Sequence, residues 1–159
     1  MDFCPIKEVE FSRLKSGDLS TIPELHALFP NWKKDSILKK VKKTFKGEDL
    51  RFVARKNGKI VAHVKLSLGK GLHRHRAEMT SLAVAPTCRR KGIATQLVKF
   101  AVEDLPDRVT LVTLAVDKKN KPAITLYKYL GFTEFGLLKN ASIINGKHID
   151  NCLMQKSKK

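Results

Sequence analysis

Apolar and polar residues follow two different periods along this chain, which predict a mixture of strands and helices. Short runs of apolar and β-branched residues, bounded by turn residues, predict strands. Stretches with apolar residues three and four positions apart predict helices. The predicted strands cover residues 9–14, 50–55, 59–68, 78–84, 109–116, 132–138 and 147–154. The predicted helices cover residues 19–29, 35–45, 95–105 and 121–130.

Turn and capping residues support these boundaries. Asn57-Gly58 and Asn145-Gly146 stand between strand runs, and this dipeptide suits two-residue hairpin turns in which both residues have positive φ. Short polar side chains before a helix bond its first N–H groups, and glycine after a helix accepts a left-handed conformation. The predicted N-caps are Asp18, Asp35 or Ser36, and Asn120; the predicted closing residues are Gly47 and Gly131.

The middle of the chain predicts a parallel unit. Strand 78–84, helix 95–105 and strand 109–116 form a βαβ sequence, so the two strands should be parallel neighbours. The second strand is mostly apolar, as expected of a strand covered on both faces. We therefore expect an α/β (α+β) fold with a mixed, mostly antiparallel sheet, a parallel core and helices on both faces. Residues 1–155 are expected to form one domain, and 156–159 a disordered basic tail.

The net charge of the chain indicates which classes of ligand and partner are favoured. The 159 residues include 32 Lys and Arg against 15 Asp and Glu, a formal net charge of +17. This favours anionic ligands and permits nucleic acid or an acidic protein, and it argues against polyamines as substrates. Seven of the lysines lie between Trp32 and Gly47. They form either a solvated helix face or a nucleic-acid surface.

Other chemistry is disfavoured by what the sequence contains. The three cysteines are far apart, and no Cys/His cluster has the spacing of a zinc site, so no metal is expected. Cys88 as a nucleophile would need a His partner, and none is identifiable. No apolar run suits a bilayer span and no signal-peptide pattern is present, so a cytoplasmic protein without membrane association is expected.

A basic turn containing glycine lies between the strand 78–84 and the following helix. It reads Arg89-Arg90-Lys91-Gly92-Ile93-Ala94. The first turn of a helix has N–H groups without intrahelical partners, and glycine lets a phosphate approach the backbone. The turn is therefore either a phosphate site or a basic surface turn that happens to contain glycine.

Two motifs together resemble the GNAT superfamily of N-acetyltransferases. The first runs from Leu82 to Ala94 and contains an apolar strand end, Arg89, Gly92 and Ala94. The second contains Asn120, Ala123, Leu126-Tyr127 and Gly131-Phe132. Their order and their separation of about 30 residues fit that superfamily; residues 1–77 and 133–159 match only in the order of elements.

The resemblance implies acetyl-CoA as co-substrate and assigns the residues that bind it. Backbone N–H groups of the basic turn would bind the diphosphate. The end of strand 78–84 would pair with the pantetheine arm where the two parallel strands separate, and the Val84 N–H would stabilise the oxyanion. The cofactor-binding residues implied are Leu82, Ala83, Val84, Arg89, Arg90, Lys91, Gly92, Ile93, Ala94, Thr95 and Asn120.

The resemblance also suggests the groups that move protons. Tyr127 matches the general acid of the superfamily, although it would equally suit the buried stripe of its helix; Tyr129 is off the motif. Glu78, expected on one strand face with Leu82 and Val84, resembles a glutamate that acts as base through water in the histone acetyltransferase branch. The branch that acetylates ribosomal protein N-termini carries a glutamate where this chain has Ala115.

These observations lead to one main hypothesis and two alternatives. The main hypothesis is an acetyl-CoA-dependent enzyme that acetylates a primary amine of a protein, peptide or small molecule by direct attack in a ternary complex. The first alternative is a catalytically silent module of the same fold that binds nucleic acid or acidic partners. The second, an acyl-CoA sensor, has no specific feature in its favour. A monomer and a homodimer both fit the sequence.

Overall fold

A seven-stranded mixed sheet with four α-helices forms the fold. The computed structural model describes residues 8–15, 22–47 and 49–158. The strand order is β1-β2-β3-β4-β5-β7-β6, with β4 and β5 parallel, which confirms the expected fold class. The strands are β1 (Val9–Arg13), β2 (Asp49–Lys56), β3 (Lys59–Leu68), β4 (Arg76–Val84), β5 (Leu111–Asp117), β6 (Thr133–Ile144) and β7 (Lys147–Ser157). The helices are α1 (Ile22–Leu28), α2 (Lys34–Phe45), α3 (Ile93–Glu103) and α4 (Lys121–Tyr129).

The chain divides into two compact units. The first unit comprises the described residues up to Leu68 together with Ser81–Leu105. The second unit comprises Gly69–Thr80 and the described residues from Pro106 onward. Strand β4 contributes its beginning to the second unit and its end to the first. The expectation of one domain over residues 1–155 stays a prediction.

The first unit has helices on both faces of its strands. Successive side chains of a strand point to opposite faces, and β2 uses both. Phe52 is fully buried and contacts Phe100 of α3 edge-on, with ring centroids 5.9 Å apart. Its neighbour Val53 belongs to a buried cluster on the other face with Leu25 of α1 and Val41 of α2. Burial of apolar surface on both faces therefore holds α1, α2 and α3 against the strands.

One side of α3 is apolar and buried. Ile93, Leu97 and Ala101 have at most 1% of their surface exposed. The helix begins at Ile93, two residues earlier than predicted, because Gly92 is its N-cap. Its apolar side thus holds the helix on β1, β2 and β3, and its first turn follows directly on the basic turn.

The second unit contains the parallel pair that the sequence predicted. Residues Arg76–Met79 of β4 align with Leu111–Leu114 of β5, and β5 also pairs antiparallel with β7. Asn120 caps α4 by accepting a hydrogen bond from the Ala123 N–H at 3.2 Å. One expectation for β5 was wrong: Ala115 is exposed, so the strand is not covered on both faces.

Both predicted hairpin turns are confirmed. Asn57 and Gly58 have φ of 50° and 75°, and Asn145 and Gly146 have φ of 50° and 73°. Positive φ at both central residues matches the right-handed twist of the paired strands. Gly131 follows α4 with φ of 87°, as a closing glycine should.

Two local predictions were wrong. The N-cap of α2 is Lys33, which makes no side-chain capping bond, and Asp35 and Ser36 lie inside the helix. Asp35 there complements the positive helix end instead of capping it. The expected tail is ordered as far as the structure describes it, because β7 continues to Ser157 and Lys156 donates to the Leu130 carbonyl at 2.7 Å. The predicted cap at Asp18 lies outside the described residues.

Candidate functional site

The end of β4 in the first unit has an unusual backbone. Ser81 has φ of 57°, which few non-glycine residues adopt and which departs from the regular strand that the sequence predicted. The three residues after it, Leu82, Ala83 and Val84, are half-buried. The strand then ends as the Ala85 N–H donates to the Val61 carbonyl at 2.8 Å. The residues expected to pair with a pantetheine arm are therefore consecutive and follow directly on a left-handed residue.

The turn after β4 contains two left-handed residues. Residues Pro86–Cys88 form one 3₁₀ turn, after which Arg90 has φ of 59° and Gly92 has φ of 76°. Left-handed residues in a turn tilt successive N–H groups toward a common point, which is a usual way to bind an anion. Glycine suits its position because an L side chain there is strained.

The turn leads straight into the N-terminus of α3. This helix has 11 residues, and its N-cap Gly92 offers no side chain to bond the first N–H groups. The helix dipole gives this end partial positive charge. The predicted cofactor residues Ile93, Ala94 and Thr95 form the first helical turn, so their N–H groups suit a diphosphate.

Two of the three basic side chains hold the turn itself. Arg89 Nε donates to the Val84 carbonyl at 3.0 Å, and Lys91 Nζ donates to the Thr87 carbonyl at 2.9 Å. Arg89 thereby ties the turn back to the end of β4. Arg90 is exposed. The three charges remain at the helix N-terminus, where they favour an anion.

The predicted general acid lies in the second unit. Tyr127 is 8% exposed, and its ring packs against Phe132 with centroids 5.8 Å apart. Burial raises the pKa of Tyr127 to about 12, so the phenol keeps its proton at neutral pH. Tyr129, two residues on, is 73% exposed. Asn120, the predicted cofactor contact, uses its side-chain oxygen to cap α4.

The predicted base, Glu78, is exposed on β4 and lies opposite Thr113 of β5. Thr80 follows it on the same strand face. Among the described residues, the Thr80 hydroxyl is the buried side-chain oxygen or nitrogen that has no hydrogen-bond partner. A buried hydroxyl without a partner is costly, so this position suits a bound water or substrate group.

Sequence reasoning missed a buried polar chain in the first unit. Arg51 Nε donates to Thr44 Oγ1 at 2.9 Å, Arg51 Nη1 lies 3.0 Å from His63 Nε2, and His63 Nδ1 lies 3.0 Å from the Ser81 carbonyl. Arg51 and His63 are only 2% and 1% exposed. The signal in the sequence was an Arg and a His inside apolar strand runs, where burial demands partners.

The chemistry of arginine determines the state of His63. A guanidinium only donates, so Nε2 of His63 accepts and Nδ1 carries the proton that is donated to the Ser81 carbonyl. Burial is the largest cause that lowers the pKa of His63, to about 3, and the charge of Arg51 lowers it further. His63 is therefore a neutral imidazole with one defined tautomer.

A cationic and aromatic cluster lies beside these buried hydrogen bonds. Phe29 stacks on Trp32 at 4.5 Å and contacts the His63 ring edge-on at 5.4 Å. Lys40 Nζ lies 3.4 Å from the centroid of the Trp32 ring, a cation–π contact. Burial, followed by repulsion from Arg51 and Lys65, lowers the pKa of Lys40. We call Trp32, Lys40, Arg51 and Lys65 the cationic cluster.

The described residues place little negative charge beside the cationic cluster. Asp49 lies 3.7 Å from Lys65 and accepts a hydrogen bond from Ser67 at 2.7 Å. Arg51 makes its described hydrogen bonds to a hydroxyl and a neutral imidazole. The cluster therefore keeps net positive charge, which sequence reasoning attributed only to the lysines of α2.

The second unit contains an open groove of about 560 Å³. None of the residues predicted for the site lines it. Its lining residues are Lys118, Lys121, Ile124, Thr125, Lys128, Glu134, Gly136, Leu137 and Cys152. Within the described ranges, no three His, Cys, Asp or Glu side chains are grouped to hold a metal ion, and no helix could span a membrane.

Comparison with known proteins confirms the resemblance seen in the sequence. The model of the Acetyltransferase (GNAT) family matches residues 18–132. Spermidine N(1)-acetyltransferase of Escherichia coli K12 is 34% identical over 110 residues, which are 66% of this chain and 58% of that relative. L-amino acid N-acetyltransferase AaaT of the same strain is 27% identical, over 68% of each chain.

A solved structure has the same fold. The ribosomal-protein-alanine N-acetyltransferase from Brucella melitensis aligns with a TM-score of 0.83 over 94% of this chain and 99% of its own. Its identity is 21%, so the likeness concerns the fold alone. The three relatives differ in the acceptors that their names state: spermidine, L-amino acids and a ribosomal protein.

The neutral state of His63 makes stability depend on pH. The folded pKa of about 3 lies below the unfolded value of 6.5, so the unfolded chain binds the extra proton and stability falls as pH falls. Below about pH 6 this group should lower the free energy of unfolding by about 1.4 kcal/mol per pH unit. Urea denaturation from pH 7 to pH 4 should show a shallower dependence in His63→Gln. Equal slopes would contradict the assignment.

Proposed function

Because this chain belongs to the Acetyltransferase (GNAT) family, we propose that it transfers the acetyl group of acetyl-CoA to a primary amine by direct attack in a ternary complex. The observation that carries the proposal is the continuous run from the end of β4 after left-handed Ser81, through two left-handed turn residues, to the uncapped N-terminus of α3. Each part suits one portion of the co-substrate.

The backbone binds the co-substrate in this proposal. N–H groups of residues 90–95 hold the diphosphate, with Arg89 and Lys91 keeping the turn in shape through their own bonds. The backbone of Leu82–Val84 pairs with the pantetheine arm as an added strand would. The Val84 N–H donates to the oxygen that becomes negative when the thioester carbonyl is attacked.

Two proton transfers accompany the acyl transfer. The acceptor amine, with a pKa near 10.4 in water, must lose a proton before its nitrogen can form a bond to the carbonyl carbon. Glu78 takes that proton through water, or water takes it alone. When the carbon–sulfur bond breaks, Tyr127, protonated because its pKa is about 12, donates its proton to the leaving thiolate.

The acceptor is proposed to be an amine with acidic groups beside it, on a peptide or protein. The support is the cationic cluster, in which Arg51 and Lys65 repel the charge of Lys40 and, among the described residues, Asp49 lies beside Lys65 and acts on Arg51. A polycation such as spermidine would be repelled by this charge, while a carboxylate could bond Lys40 or Lys65. Although one relative is a spermidine acetyltransferase, the charge here favours the opposite acceptor.

Gly92→Asp should abolish tight acetyl-CoA binding. The variant strains a backbone with φ of 76° and adds negative charge where the diphosphate would bind. We expect the Kd from calorimetry to rise by at least about tenfold. Gly58→Asp is the matched control, since Gly58 has φ of 75°, open space around it, and lies in a hairpin turn.

Equal losses in the two glycine variants would attribute the effect to strain alone. If the wild type binds no acetyl-CoA but binds nucleic acid with steep salt dependence, the proposed activity is wrong and the silent binding module replaces it.

Tyr127→Phe should lower kcat and spare binding. The variant keeps the ring that packs on Phe132 and removes the proton donor. Loss of a general acid costs on the order of 10²-fold or more. The measurement is the release of free coenzyme A thiol from acetyl-CoA, made on this variant and on Tyr129→Phe. The latter changes an exposed ring and should retain wild-type kcat. A similar kcat in both variants would remove Tyr127 from the mechanism.

Lys40→Gln should selectively weaken the use of acidic acceptors. Lys40 lies in the cationic cluster, whereas Lys39 on the same helix is exposed, so Lys39→Gln makes the same change of charge elsewhere. For a peptide with acidic residues near its amine we expect KM to rise about fivefold to tenfold in Lys40→Gln only. Acetyl-CoA affinity should not change. Faster turnover of spermidine than of acidic peptides would contradict this acceptor class.

A further inference from the structure

The left-handed backbone at Ser81 of β4 is held by a group outside that strand. Ser81 is in the left-handed region, as are Asn57, Asn140 and Asn145, but asparagine tolerates that conformation whereas serine has no such preference. Such backbone persists only where its surroundings hold it. The described hydrogen bond to the Ser81 carbonyl comes from His63 Nδ1 at 3.0 Å.

His63 is itself held on each side. Arg51 Nη1 occupies Nε2 at 3.0 Å, which leaves the proton on Nδ1 and directs it at Ser81. Phe29 packs edge-on against the imidazole at 5.4 Å, and Thr44 anchors Arg51 at 2.9 Å. The orientation and the tautomer of the ring are therefore both defined by neighbours on other elements.

We propose that His63 is a positioning residue: its Nδ1–H holds the Ser81 carbonyl and so sets the direction of the backbone of Leu82–Val84, with Arg51 fixing the tautomer. The rotation at Ser81 decides where the next N–H groups point, since each peptide plane follows the one before it. Its consequence for acetyl transfer rests on the proposed function, because the same three residues would bind the arm and the oxyanion.

A purely structural role for the same bonds makes a different prediction. In that case the hydrogen bonds merely satisfy buried polar groups, and loss of activity should follow loss of stability from variant to variant. A positioning role instead ties activity to one atom, the donor at Nδ1. Two substitutions of His63 separate the donor at Nδ1 from the acceptor at Nε2.

His63→Asn keeps the donor, and His63→Gln keeps the acceptor. The Asn amide nitrogen is two bonds from Cβ, as Nδ1 is, so it reaches the Ser81 carbonyl, but Arg51 Nη1 loses its contact with the residue at position 63 and only the bond from Arg51 Nε to Thr44 is kept. The Gln amide oxygen is three bonds from Cβ, as Nε2 is, so it accepts from Arg51 and leaves Ser81 without a donor. Asn also leaves the larger cavity, so it should have the lower thermal midpoint.

The expected order of function is the reverse of the order of stability. His63→Asn should keep the amide NMR shifts of Leu82–Val84 near those of the wild type and kcat/KM for acetyl-CoA within about threefold. His63→Gln should move those shifts and lower kcat/KM by at least about tenfold. Equal effects, or a larger effect in His63→Asn, would overturn the proposal.

Two further measurements keep the outcome decisive. Arg51→Met removes one of the two groups that select the tautomer, but the Ser81 carbonyl only accepts and still selects the Nδ1–H form. The shifts of Leu82–Val84 should therefore stay close to wild type, and a displacement as large as in His63→Gln would show that Nδ1–H is not the holding group. The shifts do not depend on turnover. A wild type without turnover whose variants follow the expected order of shifts would refute the proposed function and leave the role of His63 in β4 supported.

Discussion

The passage from β4 to α3 is the constraint on which the rest of the first unit depends. The turn that leads from the strand into the helix uses left-handed backbone at Arg90 and Gly92, and Gly92 leaves the first N–H groups of the helix without a side-chain cap. The apolar side of α3 holds the helix on β1, β2 and β3, which places that uncapped end at the end of β4. Packing thus supplies the rigidity, and the backbone supplies the polar groups.

Burial of positive charge is the second physical feature of this unit. Arg51 is almost fully buried, its described hydrogen bonds go to Thr44 and neutral His63, and the charge of Asp49 acts on it from a distance. A buried charge that is not directly paired is expensive. The hydrogen bonds to Thr44 and His63 offset part of this cost, and the charge of Arg51 acts in turn on Lys40. A site with this field attracts acidic groups and repels cations.

Local sequence signals predicted what depends on neighbouring residues. The Asn57-Gly58 turn, the Asn120 cap and the glycine before α3 are determined within a few positions, and the structure has each of them. The predicted cap of α2 was wrong because Lys33, which makes no side-chain capping bond, is the N-cap of that helix. Asp35 lies in the first turn, where it complements the helix dipole. The prediction of a disordered tail was wrong because residues 155–157 pair with β5. Strand pairing joins segments that are distant in sequence, so local signals do not predict it.

The same distinction explains which half of the site could be predicted. The residues proposed to bind acetyl-CoA in the first unit occupy one run from Leu82 to Thr95, so a motif can describe them. The cationic cluster and the support of Ser81 combine residues from α2, β2 and β3 whose spacing in sequence carries no information about their contact. His63 in a strand run looks like any polar residue until Arg51 and Ser81 are found beside it. The proposed acceptor class therefore rests on contacts between segments that are distant in sequence, which only the structure shows.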